Sequence, residues 1–186
     1  MTYTFSSYQK LHRGSKAPSF HLPGTDGKDH SLQEFSKSKG LLVVFMCNHC
    51  PYVKPKIGKL VELDQQYRSK GLMVVGICAN DSKEFPEDDL DHMKRFAKEK
   101  GIRFHSLFDE SQEVPKSYGA TCTPDLFLFD ENMALAYHGR IDDAHGKPHS
   151  AAKTNELEEA IRQLLDGKEV SVQSVPSAGC NIKWKR

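Results

Sequence analysis

Two runs in this chain are apolar at nearly every position, Leu41 to Met46 and Leu72 to Ala79. A strand with one solvated face alternates apolar and polar residues; an unbroken apolar run of this length is covered on both faces, which requires helices above and below a sheet. The first run leads directly into Cys47-Asn48-His49-Cys50-Pro51. Two thiols three positions apart therefore stand where a buried strand hands over to a helix, on one helical face if the helix starts early enough. Unpaired amides at a helix N-terminus favour a thiolate over a thiol, so the chemistry indicated is reversible dithiol–disulfide exchange.

The rest of the pattern is consistent with that sheet. Ala17 to Pro23 and Gly24-Thr25-Asp26-Gly27-Lys28 predict a short strand and a tight turn, and Ser31 with Glu34 has capping-box spacing for a short helix. Val53, Ile57, Leu60, Val61 and Leu63 predict an amphipathic helix ending before Gly71; Leu90, Met93, Phe96 and Ala97 predict a second, with Asp81 and Glu84 near its start as caps. Phe104 to Phe108 reads as a strand, Ser111 to Tyr118 as a short helix, Asp125 to Phe129 and Ala134 to Gly139 as a hairpin, and Thr154 to Leu165 as a last helix stopped by Gly167. The predicted order is β-α-β-α-β-α-β-β-α: an α/β fold with a central mixed sheet flanked by helices and an N-terminal hairpin extension. Its 186 residues form one domain, with a core over about 14–166 and a C-terminal tail over 167–186.

Charge excludes several partners. With 26 basic and 25 acidic side chains, no net field attracts nucleic acid or an anionic membrane. The N-terminal stretch lacks an apolar run of signal-peptide length and no segment approaches the ~18 apolar residues of a membrane span, which predicts a cytoplasmic protein. Five cysteines, an odd number in a chain long enough to build its own core, argue for thiols kept reduced until they react.

A free thiol of pKa ~8.5 is a few per cent ionised at neutral pH; lowering it to ~6.5 needs about 2.7 kcal/mol of preference for the charged form. A helix terminus supplies less, so a cation or hydrogen-bond donor must add to it: His49 inside the motif first, then Lys54 and Lys56. Pro51 disfavours helical geometry at Cys50 and suits a first helical turn, leaving the choice of attacking thiol between Cys47 and Cys50 open.

These residues resemble the thioredoxin-like superfamily, and within it the redoxin or peroxiredoxin-like branch, over about residues 14–166. The resemblance is carried by C-x-x-C after a buried strand, by Pro55 five residues beyond Cys50 where thioredoxins kink the helix, and by Thr123-Pro124 before a strand. The stretches CNHCPYVK, ICANDSKEFPEDD, YGATCTPDLFLFD, YHGRIDD and GCNIKWK are similar to a thioredoxin-fold group of peroxiredoxin-like or thiol-disulfide isomerase-like proteins. Residues and resemblance together lead us to expect a thiol-disulfide oxidoreductase without a cofactor. Cys47 attacks, Cys50 resolves, His49 tunes the pKa, and Thr123 with a cis Pro124 presents backbone groups to an extended substrate. Its partners are disulfide-bearing proteins or low-molecular-weight thiols and a reductant. Cys122 then lies beside the pair. Peroxiredoxins carry P-x-x-x-T-x-x-C-P; with Cys50 as the peroxide-reactive cysteine, Val43 replaces the proline and Cys47 the threonine, leaving Arg140 as a distant cation.

Other readings weigh against these. A metal module would combine the two thiols with His49, Cys122 and His145 or His149, but no second C-x-x-C or H-x-x-x-H exists. Cys78 reads as a buried inert thiol and His138, His145 and His149 as solvated loop residues. Asp142 and Asp143 read as turn formers. Cys180, ahead of Ile182 and Trp184 in a polar segment, is either a surface thiol or a residue brought to the dithiol by a docked tail.

Overall fold

A computed structural model describes residues 2–186. In chain order the strands and helices are β1 (Tyr3–Phe5), β2 (His21–Pro23), β3 (Asp29–Ser31), β4 (Gly40–Phe45), α1 (Ile57–Tyr67), β5 (Leu72–Cys78), α2 (Leu90–Lys100), β6 (His105–Phe108), α3 (Glu113–Tyr118), β7 (Cys122–Thr123), β8 (Asp125–Asp130), β9 (Leu135–His138), α4 (Glu156–Leu165) and β10 (Ala178–Asn181). The central sheet has the order β6-β5-β4-β8-β9, with β4, β5 and β6 parallel and β8 and β9 antiparallel to their neighbours. This is the expected mixed sheet. Helical crossovers keep the first three strands parallel and the Asp130-to-Leu135 turn reverses the last pair.

Every residue of β4 is buried, and alternation sorts them. Leu42 and Val44 pack on one face with Leu60 and Leu63 of α1 and Leu157 and Ile161 of α4; Leu41, Val43 and Phe45 pack on the other with Phe20, Phe35, Tyr118 and Phe127. Burying each such side chain contributes roughly 1.5–3 kcal/mol, so the strand that delivers Cys47 is among the most firmly held parts of the molecule.

Local signals mostly behave as read. Ser31 and Glu34 form a capping box over a 3-10 turn, Leu32–Phe35, and Gly71 and Gly101 take the left-handed conformation that ends the two long helices, α1 by way of the turn Arg68–Lys70. Two readings need correction. The cap of α2 is Asp89, whose side chain accepts from His92 N at 2.8 Å; Asp81 instead accepts from the Lys83 amide, because the chain runs through Pro86 before the helix begins. Pro55 does not kink a running helix. It lies in a 3-10 turn, Lys54–Lys56, ahead of α1, where its missing N–H leaves no helical bond unmade.

The largest departure lies at the two ends of the chain. Residues 167–186, expected as a tail, contain β10, which sits between β1 and β7 in a three-stranded antiparallel sheet. Among the described residues no helix is long and apolar enough to cross a membrane.

Candidate active site

Cys47 and Cys50 lie just past the end of β4, opposite the cis Thr123–Pro124 bond. Both are buried, Cys47 retaining 2% of its surface and Cys50 0%. Cys47 Sγ is 3.7 Å from Thr123 Oγ1, and Cys50 Sγ donates to the Thr123 carbonyl at 3.2 Å. The amides of Val53 and Lys54 both bond to the Cys50 carbonyl at 3.1 Å, so Cys50 opens a helical turn although α1 itself starts at Ile57.

The motif loop is tied down by one carboxylate, Asp88, to which the sequence reading assigned no role of its own. Asp88 is fully buried and accepts from Asn48 N at 2.8 Å and from Asn80 Nδ2 at 2.8 Å. His49 Nδ1 lies 2.6 Å from its Oδ2, with the imidazole stacked on Phe85 at 5.4 Å. The bond to Asp88 raises the His49 pKa above its usual value. The only early signal was the density of acids in Glu87-Asp88-Asp89, and nothing in their order singled out the middle one.

Of the two thiols, Cys50 is the one whose surroundings favour the thiolate. The Cys47 thiol, the Thr123 side chain and the Cys180 amide and thiol all donate to the Cys50 sulfur, lowering it to about 4 despite burial. The contact to the Thr123 carbonyl holds the neutral form and is outweighed. Cys47 moves the other way, because it gives its hydrogen to Cys50, is buried, and faces the negative charge of Asp88. The shift thus comes from thiol, hydroxyl and amide donors, with His49 bonded to Asp88.

The remaining sequence candidates separate into those at the site and those away from it. Cys180 is at the site: β10 pairs with β7 in the register Cys180↔Thr123, and the thiol is 3% exposed. Thr123 therefore already has a strand on the edge expected to receive substrate. Cys122 is buried alongside, its thiol directed at the Pro124 carbonyl at 3.8 Å and its pKa raised by burial. Cys78 is buried and its pKa likewise raised. Lys56 is buried and bonded to Asp142 at 2.5 Å, and His149 lies 2.8 Å from the other oxygen of Asp142. Asp143 accepts from Lys153 N, closing the loop that carries His145. Arg140 bonds to Glu156 through two nitrogens, at 2.8 and 2.6 Å. His138 is not solvated: it is buried, bonded to Asp125 at 2.8 Å, and stacked on Phe127.

Among the described residues, the group that could hold a metal is Cys47, His49 and Asp88, whose ligand atoms lie within 4.8 Å of one another. Cys122, His145 and His149 do not join it. A cavity of about 700 Å³ opens beside the motif, lined by Pro51, Tyr52, His145, Gly146, Lys147 and Lys153 among others.

Comparison with known proteins follows this geometry. The Redoxin family profile matches residues 12–161. A thiol-disulfide oxidoreductase, ResA, of Bacillus cereus is 29% identical over 128 residues, 69% of this chain and 69% of that protein. An uncharacterized conserved protein from Geobacillus kaustophilus has a crystal structure that superimposes with a TM-score of 0.92 at 37% identity, covering 100% of this chain and 97% of that one. A putative thiol:disulfide interchange protein DsbE from Chlorobium tepidum superimposes with a TM-score of 0.67 at 25% identity over 84% of this chain and 99% of its own.

Proposed function

This chain belongs to the Redoxin family and is an oxidoreductase, and on that footing we propose that it reduces disulfides by cycling Cys47 and Cys50 between dithiol and disulfide. The observation that carries the proposal is the placing of both thiols against the cis Thr123–Pro124 edge, Cys47 Sγ 3.7 Å from Thr123 Oγ1 and Cys50 Sγ 3.2 Å from the Thr123 carbonyl. Passing the Cys47 proton to Cys50 creates a Cys47 thiolate, while the Cys50 thiol is received by the Thr123 carbonyl. Cys47, the member with residual surface, attacks a substrate sulfur and expels the other as thiolate. Cys50 then attacks Cys47 in the mixed disulfide, forming the internal disulfide and releasing the second substrate thiol. The substrate gains two electrons and two protons, and an external dithiol reductant restores the pair.

His49 supports this cycle through its contact with Asp88, which favours the charged imidazole and so offsets a carboxylate that otherwise opposes charge at Cys47. Substrates are disulfide-bearing proteins or low-molecular-weight thiols, approaching by the cavity at Pro51 and Tyr52. The proposed setting is the cytoplasm, in redox homeostasis. Peroxide reduction at Cys50 is a weaker reading: the threonine hydroxyl of that chemistry is replaced by Cys47, and Arg140 is engaged by Glu156. Metal delivery by the same thiols is weaker too, since among the described residues only Cys47, His49 and Asp88 gather as candidate ligands and Cys122, His145 and His149 stay apart from them.

Single Cys47→Ser and Cys50→Ser variants test the proposal by turnover of a model protein disulfide, peroxide consumption and bound metal. Reductase activity is expected to vanish in both. Retention in both refutes the cycle; peroxide turnover surviving Cys47→Ser but lost in Cys50→Ser would establish the peroxidase instead, and stoichiometric bound zinc or copper lost in both would establish the metal module.

A further inference from the structure

The position of β10 bears on a residue that this cycle leaves idle. An extended substrate of a thioredoxin-type site pairs with the backbone just before the cis-proline, a form of strand addition. Here that place is filled by the chain's own residues, with Asn181 opposite Cys122 and Cys180 opposite Thr123. The fit depends on Gly179: a Cβ there would fall 2.0 Å from the Thr123 carbonyl oxygen, so only glycine lets the strand approach this closely. The approach carries the Cys180 thiol and amide into hydrogen-bond range of the Cys50 sulfur. Cys180 thus stands where a substrate cysteine would stand, but on a strand held on its other edge by β1.

We propose that Cys180 is a third thiol of the catalytic cycle, exchanging with the Cys47–Cys50 disulfide to give a Cys50–Cys180 disulfide and a free Cys47. The inference rests on the proposed cycle of Cys47 and Cys50. Cys180 loses its proton and attacks Cys50; the Cys47–Cys50 bond breaks as the Cys50–Cys180 bond forms. Cys47 leaves as thiolate and takes up the proton. No net oxidation occurs, so no further oxidant is needed. In the reduced protein the Cys180 thiol is pushed up to about 12, chiefly by burial and then by its bond to Cys50 and the negative charge there. Oxidation of the pair removes that charge and leaves Lys183, which favours the thiolate, acting alone among these two. The exchange returns the solvent-nearer sulfur to the thiol state and fastens β10 across the site. Cys122 is equally buried but points to the Pro124 carbonyl.

The test is disulfide mapping by mass spectrometry on the full chain, oxidised with stoichiometric diamide and quenched by alkylation in acid. Wild type is expected to yield a Cys47–Cys50 link with a second population linked Cys50–Cys180. Cys47→Ser, which holds four of the five cysteines, is expected to lose two of its four alkylatable thiols as a Cys50–Cys180 link. Four free thiols in Cys47→Ser, a Cys50–Cys122 link, or a wild type linked solely through Cys47–Cys50 would overturn the inference while leaving the cycle intact. Absence of both the Cys47–Cys50 and the Cys50–Cys180 link in wild type would refute the cycle, and the exchange with it. Far-ultraviolet circular dichroism checks the fold of the variant, and wild type supplies the same readout if Cys47→Ser fails to fold.

Discussion

Substituting Gly179 by alanine probes the seating of β10 with one added carbon. The new Cβ falls 2.0 Å from Thr123 O, 2.8 Å from Thr123 C and 3.3 Å from Pro124 Cδ, and the first two are backbone atoms that no rotamer change can move. Relief to an ordinary carbon–oxygen contact of ~3.3 Å requires about 1.3 Å of separation between β10 and β7. That displacement stretches their hydrogen bonds beyond working length. Overpacking of this kind costs about 1–3 kcal/mol, which shifts the local opening of β10 by about 5- to 150-fold. Because opening uncovers Cys50 and Cys180, their reaction with Ellman's reagent should accelerate by the same factor when reclosing is faster than modification. The sheet core formed by β4, β5 and β8 is untouched, so the main thermal transition should move by only a few degrees. Modification rates within about twofold of wild type, in a protein that melts normally, would refute the claim that β10 is what buries the dithiol.

Two further outcomes follow from the electrostatics. Absorbance at 240 nm should show one thiolate at pH 6, lost only as the pH approaches about 4 and absent in Cys50→Ser; an ordinary cysteine would be less than about 1% ionised there. Asp88→Asn should destabilise the protein by about 1–3 kcal/mol, by breaking the pair with His49 and weakening the anchor on Asn48 N. Since the His49 pKa is raised in the fold, the pair's contribution is fully present below the unfolded value near 6.5 and is lost as the pH rises through the folded one. Denaturant unfolding at pH 5.5 and at pH 8.5 should therefore show the larger gap between wild type and Asp88→Asn at the lower pH.

What the sequence made legible was what local physics decides. β4 and β5 were read from unbroken apolar runs, and helix ends from Gly71 and Gly167, because burial and backbone freedom are properties of a few consecutive residues. The C-x-x-C junction was read from the apolar run that leads into it, and the cis Thr123–Pro124 edge through a resemblance carried by contiguous motifs. Asp88 was missed because its importance is set by Asn48, His49 and Asn80, contributed by other segments. His138 was misread as solvated because the partner that makes its burial affordable, Asp125, lies on the neighbouring strand. β1 and β10 were missed since each is too short for periodicity to register, and their partners lie at the far end of the chain.

The pairing of β1 with β10 has a consequence for how the protein is made. Thr2 N donates to Asn181 Oδ1 across a separation of 179 positions, close to the longest range the chain allows. Contacts of such separation form late in folding, and a ribosome releases the N-terminal strand long before the C-terminal one. The nascent chain therefore completes β4 and its two thiols while the segment that covers them is still unsynthesised. Until β10 has been made, Cys47 and Cys50 stand without the strand that pairs with Thr123 beside them.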